Sequence, residues 1–429
     1  MMALAVIGIF FILIILGFPI GFSLGIVPIG AFLLFDMTAL ITPIQKMFTG
    51  LDSFAILAVP LFILAGDLMS TTNMSGKLID FANMFVHRIR GGLGMATVIS
   101  STLFGGVSGS ANADTAAIGS ITIPGMMNTG YSRGFATALQ ACSGTIGCLI
   151  PPSILAIMYG IAASCSISDM FMGGIIPRIL MCLAYMIYCF IYASREGKGK
   201  IIPYKLPEGK TRLNIINGAL PALLLIVILI GGIRVGIVTP TEGAAVAVIY
   251  AIVVGKFVYK TLTLKKFYKS LVDSAITSGA VLMILSNAYI LSYLLTVEGL
   301  PDLIQGFLTK FHASPVLILI FINILLLIVG TFLEGIAAII LLTPVLLPMA
   351  EYAGLDAVGF GLIMVTALVI GMFTPPVGVT LFVSCGISGA KIPEAGRHLV
   401  PLFIFSVVVL LCVNVFNSQI CAFIEMMTG

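Results

Sequence analysis

The chain has 429 residues, 60% of them hydrophobic and 9% charged, with a formal net charge of +4 and a mean hydropathy of +1.20. That composition excludes a soluble enzyme or a nucleic-acid-binding module and describes an all-α integral membrane protein. Eight cysteines show no CxxC spacing and mostly fall in apolar stretches, where cysteine behaves as a small hydrophobe, so neither disulfides nor a zinc site is expected.

In chain order, apolar runs long enough to cross a hydrocarbon core of about 30 Å begin near 2–17. This first run resembles a secretory signal in hydrophobicity, but it lacks a basic n-region and flows past Pro19 into the next run, so a retained helix is expected. Spans near 18–35 and 52–70 follow, and then the amphipathic stretch MSGKLIDFANMFVHRIR at 74–90 predicts an interfacial helix. Next comes GGVSGSANADTAAIG at 105–119, a polar stretch flanked by Lys77, Arg88, Arg90 and Arg133. Short cytoplasmic loops carry an excess of lysine and arginine, so residues 92–128 are expected to enter from the cytoplasm and return to it as a re-entrant hairpin. Spans near 131–163 and 170–194 complete the first half.

Arg195, Lys198, Lys200, Lys205, Lys210 and Arg212 mark 195–213 as a cytoplasmic linker. Further spans lie near 215–234, 236–257 and 273–296, with Lys256, Lys260, Lys265, Lys266 and Lys269 marking a second cytoplasmic loop. A second hairpin near 313–350 opens to the other side, where Glu298, Asp302, Glu351 and Asp356 lie, and spans near 355–387 and 398–424 close the chain. Both termini are then expected outside the cytoplasm.

The two halves echo each other. GCLIPPS at 147–153 matches GMFTPPV at 371–377, an offset of 224 that also pairs Ser164 with Ser388 and Pro177 with Pro401. An offset of 220 sets ADTAAIGSITIP at 113–124 against LEGIAAIILLTP at 333–344, placing Asp114 opposite Glu334, and an offset of 221 pairs Pro19 with Pro240 and Asp52 with Asp273. The drift implies a four-residue insertion after the second hairpin. Residues 1–194 and 214–429 thus read as two repeats of five spans and one hairpin, and because five is odd the repeats are inverted in the membrane.

Irregular backbone at membrane depth is tolerated only where protein or water satisfies it, so it marks a binding site. The hairpin tips qualify, as do SGTIGCLIPPS at 143–153 and VIGMFTPPVG at 369–378, where Pro-Pro pairs with nearby glycines break a helix and leave carbonyls unbonded. Such carbonyls suit a hard cation such as sodium, and half-helix N-termini suit an anion.

GGVSGSANAD, the IPPS and TPPVG breaks, FILAGDLM at 62–69 and RGGLG at 90–94 resemble the large membrane subunit of TRAP transporters, permeases of the DctM and SiaM kind in the ion transporter superfamily. The resemblance covers nearly the whole chain. It implies an elevator-type secondary transporter in a bacterial inner membrane, coupled to transported sodium and using no organic cofactor. Its partners would be a four-helix small membrane subunit and a periplasmic substrate-binding protein that delivers an organic acid, either a sugar acid such as sialic acid or a C4-dicarboxylate. It also implies one sodium site around Ser108, Ser110, Gly147, Ile150 and Pro152, and a mirror site using Gly330, Glu334, Gly371, Thr374 and Pro376. Substrate would lie between the tips at Ser108, Ser153 and Glu334. Asn112 is a further substrate-binding candidate from its place in the tip, although the family pattern assigns it no role.

Intramembrane carboxylates are costly and usually face a partner or a cavity. Asp114 is expected either at the site or as a cap on the second hairpin helix. Glu334 lacks an N-cap neighbourhood, so it is expected to accept hydroxyls or help hold a cation, whereas Asp67, Glu242 and Asp273 read as residues of helix ends. Two rival readings are weaker. Gly106-Val107-Ser108-Gly109 fits the motif of an intramembrane serine protease, but His87, His312 and His398 all lie at membrane edges. A passive channel also uses re-entrant loops, and no GxxxxGK[ST] phosphate loop is present.

Overall fold

Lipid offers backbone amides and carbonyls no partner, so each apolar run must close its hydrogen bonds within itself, and these runs form helices. The computed structural model describes residues 2–35, 41–72, 74–149, 151–195, 211–300, 303, 306 and 314–428. The expected linker lies outside the described residues over 196–210, as do Ile150, Asp302 and His312. No strand occurs among the described residues.

The first half contains α1 (Met2–Ile15), α2 (Ile20–Phe35), α3 (Ile41–Leu51), α4 (Ala58–Ser70), α5 (Met74–Val86), α6 (Gly92–Ser108), α7 (Ala111–Asn128), α8 (Arg133–Ile146), α9 (Ile154–Ala162) and α10 (Ile167–Arg195). The second half contains α11 (Arg212–Arg234), α12 (Pro240–Val253) with a π-helical turn at Val254–Val258, α13 (Leu264–Val297), α14 (Pro315–Phe332), α15 (Gly335–Tyr352), α16 (Ala357–Gly371), α17 (Val379–Ser388), α18 (Ile392–Val415) and α19 (Asn417–Thr428). Among the described residues, seven helices are long and apolar enough to cross a membrane, or up to nine if two bent pairs each count as one span. One pair is α3 with Phe54–Ser70, bent by 59°, and the other joins α8 and its following turn to α9, bent by 48°.

Several expectations change. Residues 41–51, assigned no element from sequence, form α3. The 74–90 segment is helical only to Val86, and its apolar face packs against α6 and α11. The last span ends at Val415, and α19 is a separate helix. Asp273 sits inside α13 rather than near its end, because α13 begins at Leu264. The pairing of Asp114 with Glu334 also fails. α7 and α15 each have 18 residues and begin at Ala111 and Gly335, a shift of 224, so Glu334 stands where Ser110 does. The extra residues therefore fall before the second hairpin, not after it.

The packing forms two groups. In one, α13 runs beside α2, α3 and α4, and α12 packs on α4. Gly25 lets α2 approach Asn287 of α13, whose amide donates to the Gly21 carbonyl at 2.8 Å. In the other group, α8 is buried along its whole length and contacts α6, α7, α17 and α18. Thr137 of α8 donates to Ser388 of α17 at 2.8 Å, and Tyr185 of α10 bonds Ser406 of α18 at 2.6 Å. The two halves thus interlock instead of forming separate domains.

One intramembrane tie is reciprocal: Asn323 of α14 donates to Asn414 of α18 at 2.9 Å, and Asn414 donates back at 3.2 Å. Replacing Asn414 with Leu leaves the Asn323 side-chain oxygen without its donor, while the Asn323 amide keeps the Leu319 carbonyl at 2.7 Å, and should destabilise the protein by about 0.6 kcal/mol and at most about 1.7 kcal/mol. The Asn323→Leu, Asn414→Leu double variant should recover part of that loss, because nothing is then left unpaired. Unfolding of purified protein in mixed micelles measures both.

Candidate functional site

At the first hairpin tip the helix stops because Gly109 takes the left-handed conformation (φ +62°), donating its N–H to the Gly105 carbonyl at 2.9 Å. Ser110 then caps α7 by accepting from the Ala113 amide at 3.4 Å, and its own amide donates to the Ser108 hydroxyl oxygen at 3.4 Å. The facing helix breaks after Ile146: Gly147–Leu149 make one 3₁₀ turn, Pro151 and Pro152 are joined by a cis peptide, and Ser153 opens α9. Ser153 accepts from the Ala156 amide at 3.1 Å and donates to the Cys148 carbonyl.

Tip and break touch backbone to backbone. A Cβ on Gly105 would lie 2.0 Å from the Gly147 Cα, and one on Gly109 would lie 2.5 Å from the Pro152 carbonyl oxygen. Cys148 Sγ donates to the Gly109 carbonyl at 3.8 Å. Ser108, Ser110, Gly147, Pro152 and Ser153 therefore form one cluster, with Ser108 and Ser153 buried. A second element also closes on this tip, because a Cβ on Gly66 of α4 would lie 2.6 Å from the Ser108 carbonyl oxygen.

The second tip and break repeat the contact. A Cβ on Gly371 would lie 2.4 Å from the Gly330 carbonyl carbon, and the Gly378 amide donates to the Thr331 carbonyl at 3.3 Å. Pro375 and Pro376 are joined by a cis peptide, and the Thr374 hydroxyl donates to the Ile370 carbonyl at 2.7 Å. Gly330, Gly371 and Thr374 are thus brought together, but Pro376 is exposed where Pro152 is buried. The second tip also reaches the first half: Gly335 packs so closely on Leu155 of α9 that a Cβ would lie 2.9 Å from it. This sets Glu334 beside the helix that Ser153 opens.

The two carboxylates exchange their expected roles. Glu334 is the N-cap of α15, its Oε2 accepting from the Ile336 and Ala337 amides at 3.1 and 3.4 Å. Glu334 can reach back because Leu333 and Glu334 are both extended, a conformation that sequence neighbours alone do not disclose. Asp114 caps nothing, since Ser110 already holds that position. It is fully buried, and neither oxygen meets hydrogen-bond geometry, although the Ser101 hydroxyl and the Arg178 charge act on it; a Cβ on Gly147 would lie 3.2 Å from its Oδ2. The Thr115 and Ser143 hydroxyls and the Asn112 side-chain carbonyl are likewise buried and unpartnered.

Each such group costs about 1–3 kcal/mol when left without a partner, so buried polar atoms of this kind around the first contact call for an explanation. The sequence reading passed over Thr115, Ser143 and Arg178. The Gly144–Gly147 spacing was the available signal for the first two, because Gly144 lets α8 lie directly on Thr115. Arg178, whose guanidinium donates to the Thr102 carbonyl of α6 at 2.6 Å, is a lone cation within an apolar span. Glu242 forms a capping box with Thr239, as suits a helix end. His398 is engaged by Ser132 at 3.3 Å and packs against the Phe135 and Tyr192 rings, while His87 lies against the Asn83 and Met84 carbonyls. This arrangement lends no support to a protease.

A family model for the DctM component of tripartite ATP-independent periplasmic transporters matches residues 7–418. The isethionate TRAP transporter permease protein DctMQ of Oleidesulfovibrio alaskensis is 40% identical over 94% of the chain, which spans 63% of that relative's length. The sialic acid TRAP transporter large permease protein SiaM of Vibrio cholerae is 35% identical over 96% of each chain. The C4-dicarboxylate TRAP transporter large permease protein DctM of Pseudomonas aeruginosa is 37% identical over 91% of each. Among solved structures, the Alcanivorax borkumensis YdaH transporter superposes with a TM-score of 0.59 at 15% identity, over 90% of this chain and 89% of that one, a likeness of fold alone.

The glycine contacts make a direct prediction. Gly105→Ala places a methyl against backbone that cannot yield, so it should lower stability by about 1–3 kcal/mol. Gly125→Ala, whose Cβ would sit in ordinary contact 3.6 Å from Leu93, should be tolerated. Thermal unfolding of the two variants in detergent distinguishes them.

Proposed function

Because the chain belongs to the DctM family of TRAP transporter large permeases, membrane transporters rather than enzymes, we propose that it is a sodium-coupled importer of an organic acid. The observation that carries this reading is the seating of the first tip on the first break, with Asp114, Thr115 and Ser143 buried and unpartnered beside it. Sodium would take oxygens there from Ser108, Ser110, Gly147, Pro152 and Asp114, and at the second contact from Gly330, Gly371 and Thr374. Glu334 contributes at that second site through Oε1, its other oxygen being held by the cap.

The substrate would lie between the tips, where the N-termini of α7 and α9 offer amide donors to an anion. Ser108, Ser153 and Asn112 supply further polar contacts. Relatives are named for isethionate, sialic acid and C4-dicarboxylates, which supports an organic anion as the class. Glu334 favours a hydroxylated or sugar acid, because a hydroxyl donates to a carboxylate that a second substrate carboxylate would avoid.

Transport proceeds by an elevator motion of two inverted repeats, residues 1–194 and 214–429. The hairpins, broken helices, α10 and α18 move as one body against α1–α4 and α11–α13. Gly66 supports this division, since it allows α4 a close but unbonded contact with the moving tip. A small membrane subunit and a periplasmic binding protein complete the system, in a bacterial inner membrane with both termini periplasmic.

Uptake into reconstituted vesicles should require sodium, the small subunit and the binding protein together; uptake of free substrate by this chain alone refutes the scheme. Ser108→Ala removes one oxygen from a charge-assisted site, worth about 1.5–3 kcal/mol. Transport should fall steeply at unchanged expression. Raising sodium should partly restore it if Ser108 is an ion ligand, and raising loaded binding protein should do so if Ser108 touches the anion. Normal transport by this variant at limiting concentrations of both solutes removes Ser108 from the site.

A further inference from the structure

The turn between α12 and α13 and the start of α13 carry Lys256, Lys260, Lys265, Lys266 and Lys269, all exposed, with no acidic residue between Glu242 and Asp273. α12 and α13 both read as membrane spans, so this turn lies at a membrane surface whichever side that is. α13 has 34 residues and is about 51 Å long, against a hydrocarbon core of about 30 Å, so its first turns sit at headgroup level. They are amphipathic. Leu264 is 85% exposed and Tyr268 69%, and they line up with exposed Leu271 and Val272 beside the Lys265–Lys269 edge.

The segment is also fixed in place. Tyr259 donates to the Gly218 carbonyl of α11 at 2.8 Å, Thr261 to the Thr72 carbonyl at 3.2 Å and Lys266 to the Thr71 carbonyl at 3.4 Å. Lys266 is thereby occupied, while Lys265 and Lys269, four residues apart, have ammonium groups within reach of a single phosphate. A row of lysines along an exposed apolar stripe offers charge to a headgroup and surface to its acyl chains.

We propose that residues 254–272 form a binding site for anionic phospholipid, with Lys256, Lys260, Lys265 and Lys269 on the phosphate and Leu264, Tyr268 and Leu271 against the acyl chains. The site lies where α12 and α13 join the corner between α4 and α5, so a bound lipid would brace the group of helices that packs around α13.

The chain contains no tryptophan, so Tyr268→Trp installs a single reporter. With the protein in vesicles, quenching by brominated phosphatidylglycerol and brominated phosphatidylcholine gives relative affinities at that point. Phosphatidylglycerol should be preferred several-fold, and a Tyr352→Trp reporter at the end of α15 should show no such preference. Changing the four lysines to Gln in the Tyr268→Trp background should bring the preference down to about one, while changing them to Arg should keep it. If the Gln variant does not assemble, the native-lysine reporter still decides, because raising potassium chloride from about 0.1 to about 1 M cuts the screening length from about 10 to about 3 Å and should erase the preference. Equal quenching by both lipids would leave the lysines to an acidic partner protein and overturn the proposal. A preference that survives in the Gln variant, or that is equal at the Tyr352→Trp reporter, would overturn it too.

Discussion

Everything at the centre of this molecule depends on the need to satisfy backbone that is neither helical nor wet. Two helices break at membrane depth, and in lipid each freed amide or carbonyl would cost several kcal/mol. The chain lays a hairpin tip on each break, bonding across the contact from Cys148 Sγ to the Gly109 carbonyl and from the Gly378 amide to the Thr331 carbonyl, with glycine against glycine, Gly105 on Gly147 and Gly330 on Gly371. Any side chain at these positions would hold the two backbones apart. The same closeness puts carbonyl and hydroxyl oxygens from two elements on one small volume, as cation binding requires.

Beside the first tip, Asp114 and Thr115 of α7 and Ser143 of the facing α8 make no side-chain hydrogen bond, whereas the carboxylate of the second tip is bound to its own helix. Glu334 thus has part of its charge met by the α15 amides, whereas Asp114 has the Ser101 hydroxyl and the Arg178 charge and no helix amide. The exposure of Pro376 against the burial of Pro152 points the same way. The two contacts share a geometry but not an electrostatic setting, and the buried first contact is the more demanding place to leave unfilled.

Outside the centre, the α2, α3, α4, α12 and α13 group meets the first hairpin at Gly66, where a missing side chain lets α4 lie against the Ser108 carbonyl. Its other end is tied by Tyr259, Thr261 and Lys266 and bristles with lysine.

The membrane class, most helix positions, both hairpins and both breaks were legible in the sequence, because hydropathy and proline obey local rules that tertiary contacts seldom reverse. The first tip and the first break were legible for the same reason, since polar residues and Pro-Pro pairs stand out against an apolar background, whereas the grouping of Ser108, Ser110, Gly147, Pro152 and Ser153 was implied by the family resemblance. What only the tertiary structure decided were the roles of Asp114 and Glu334, and the register that sets Glu334 opposite Ser110. A cap depends on the φ and ψ of one residue at a turn, and an offset of four residues in so apolar a chain changes little in composition. The Gly66 and Gly105 contacts were hidden for a related reason: a glycine reads alike whether it faces open lipid or a backbone 3 Å away, and only the packing of distant elements tells the two apart.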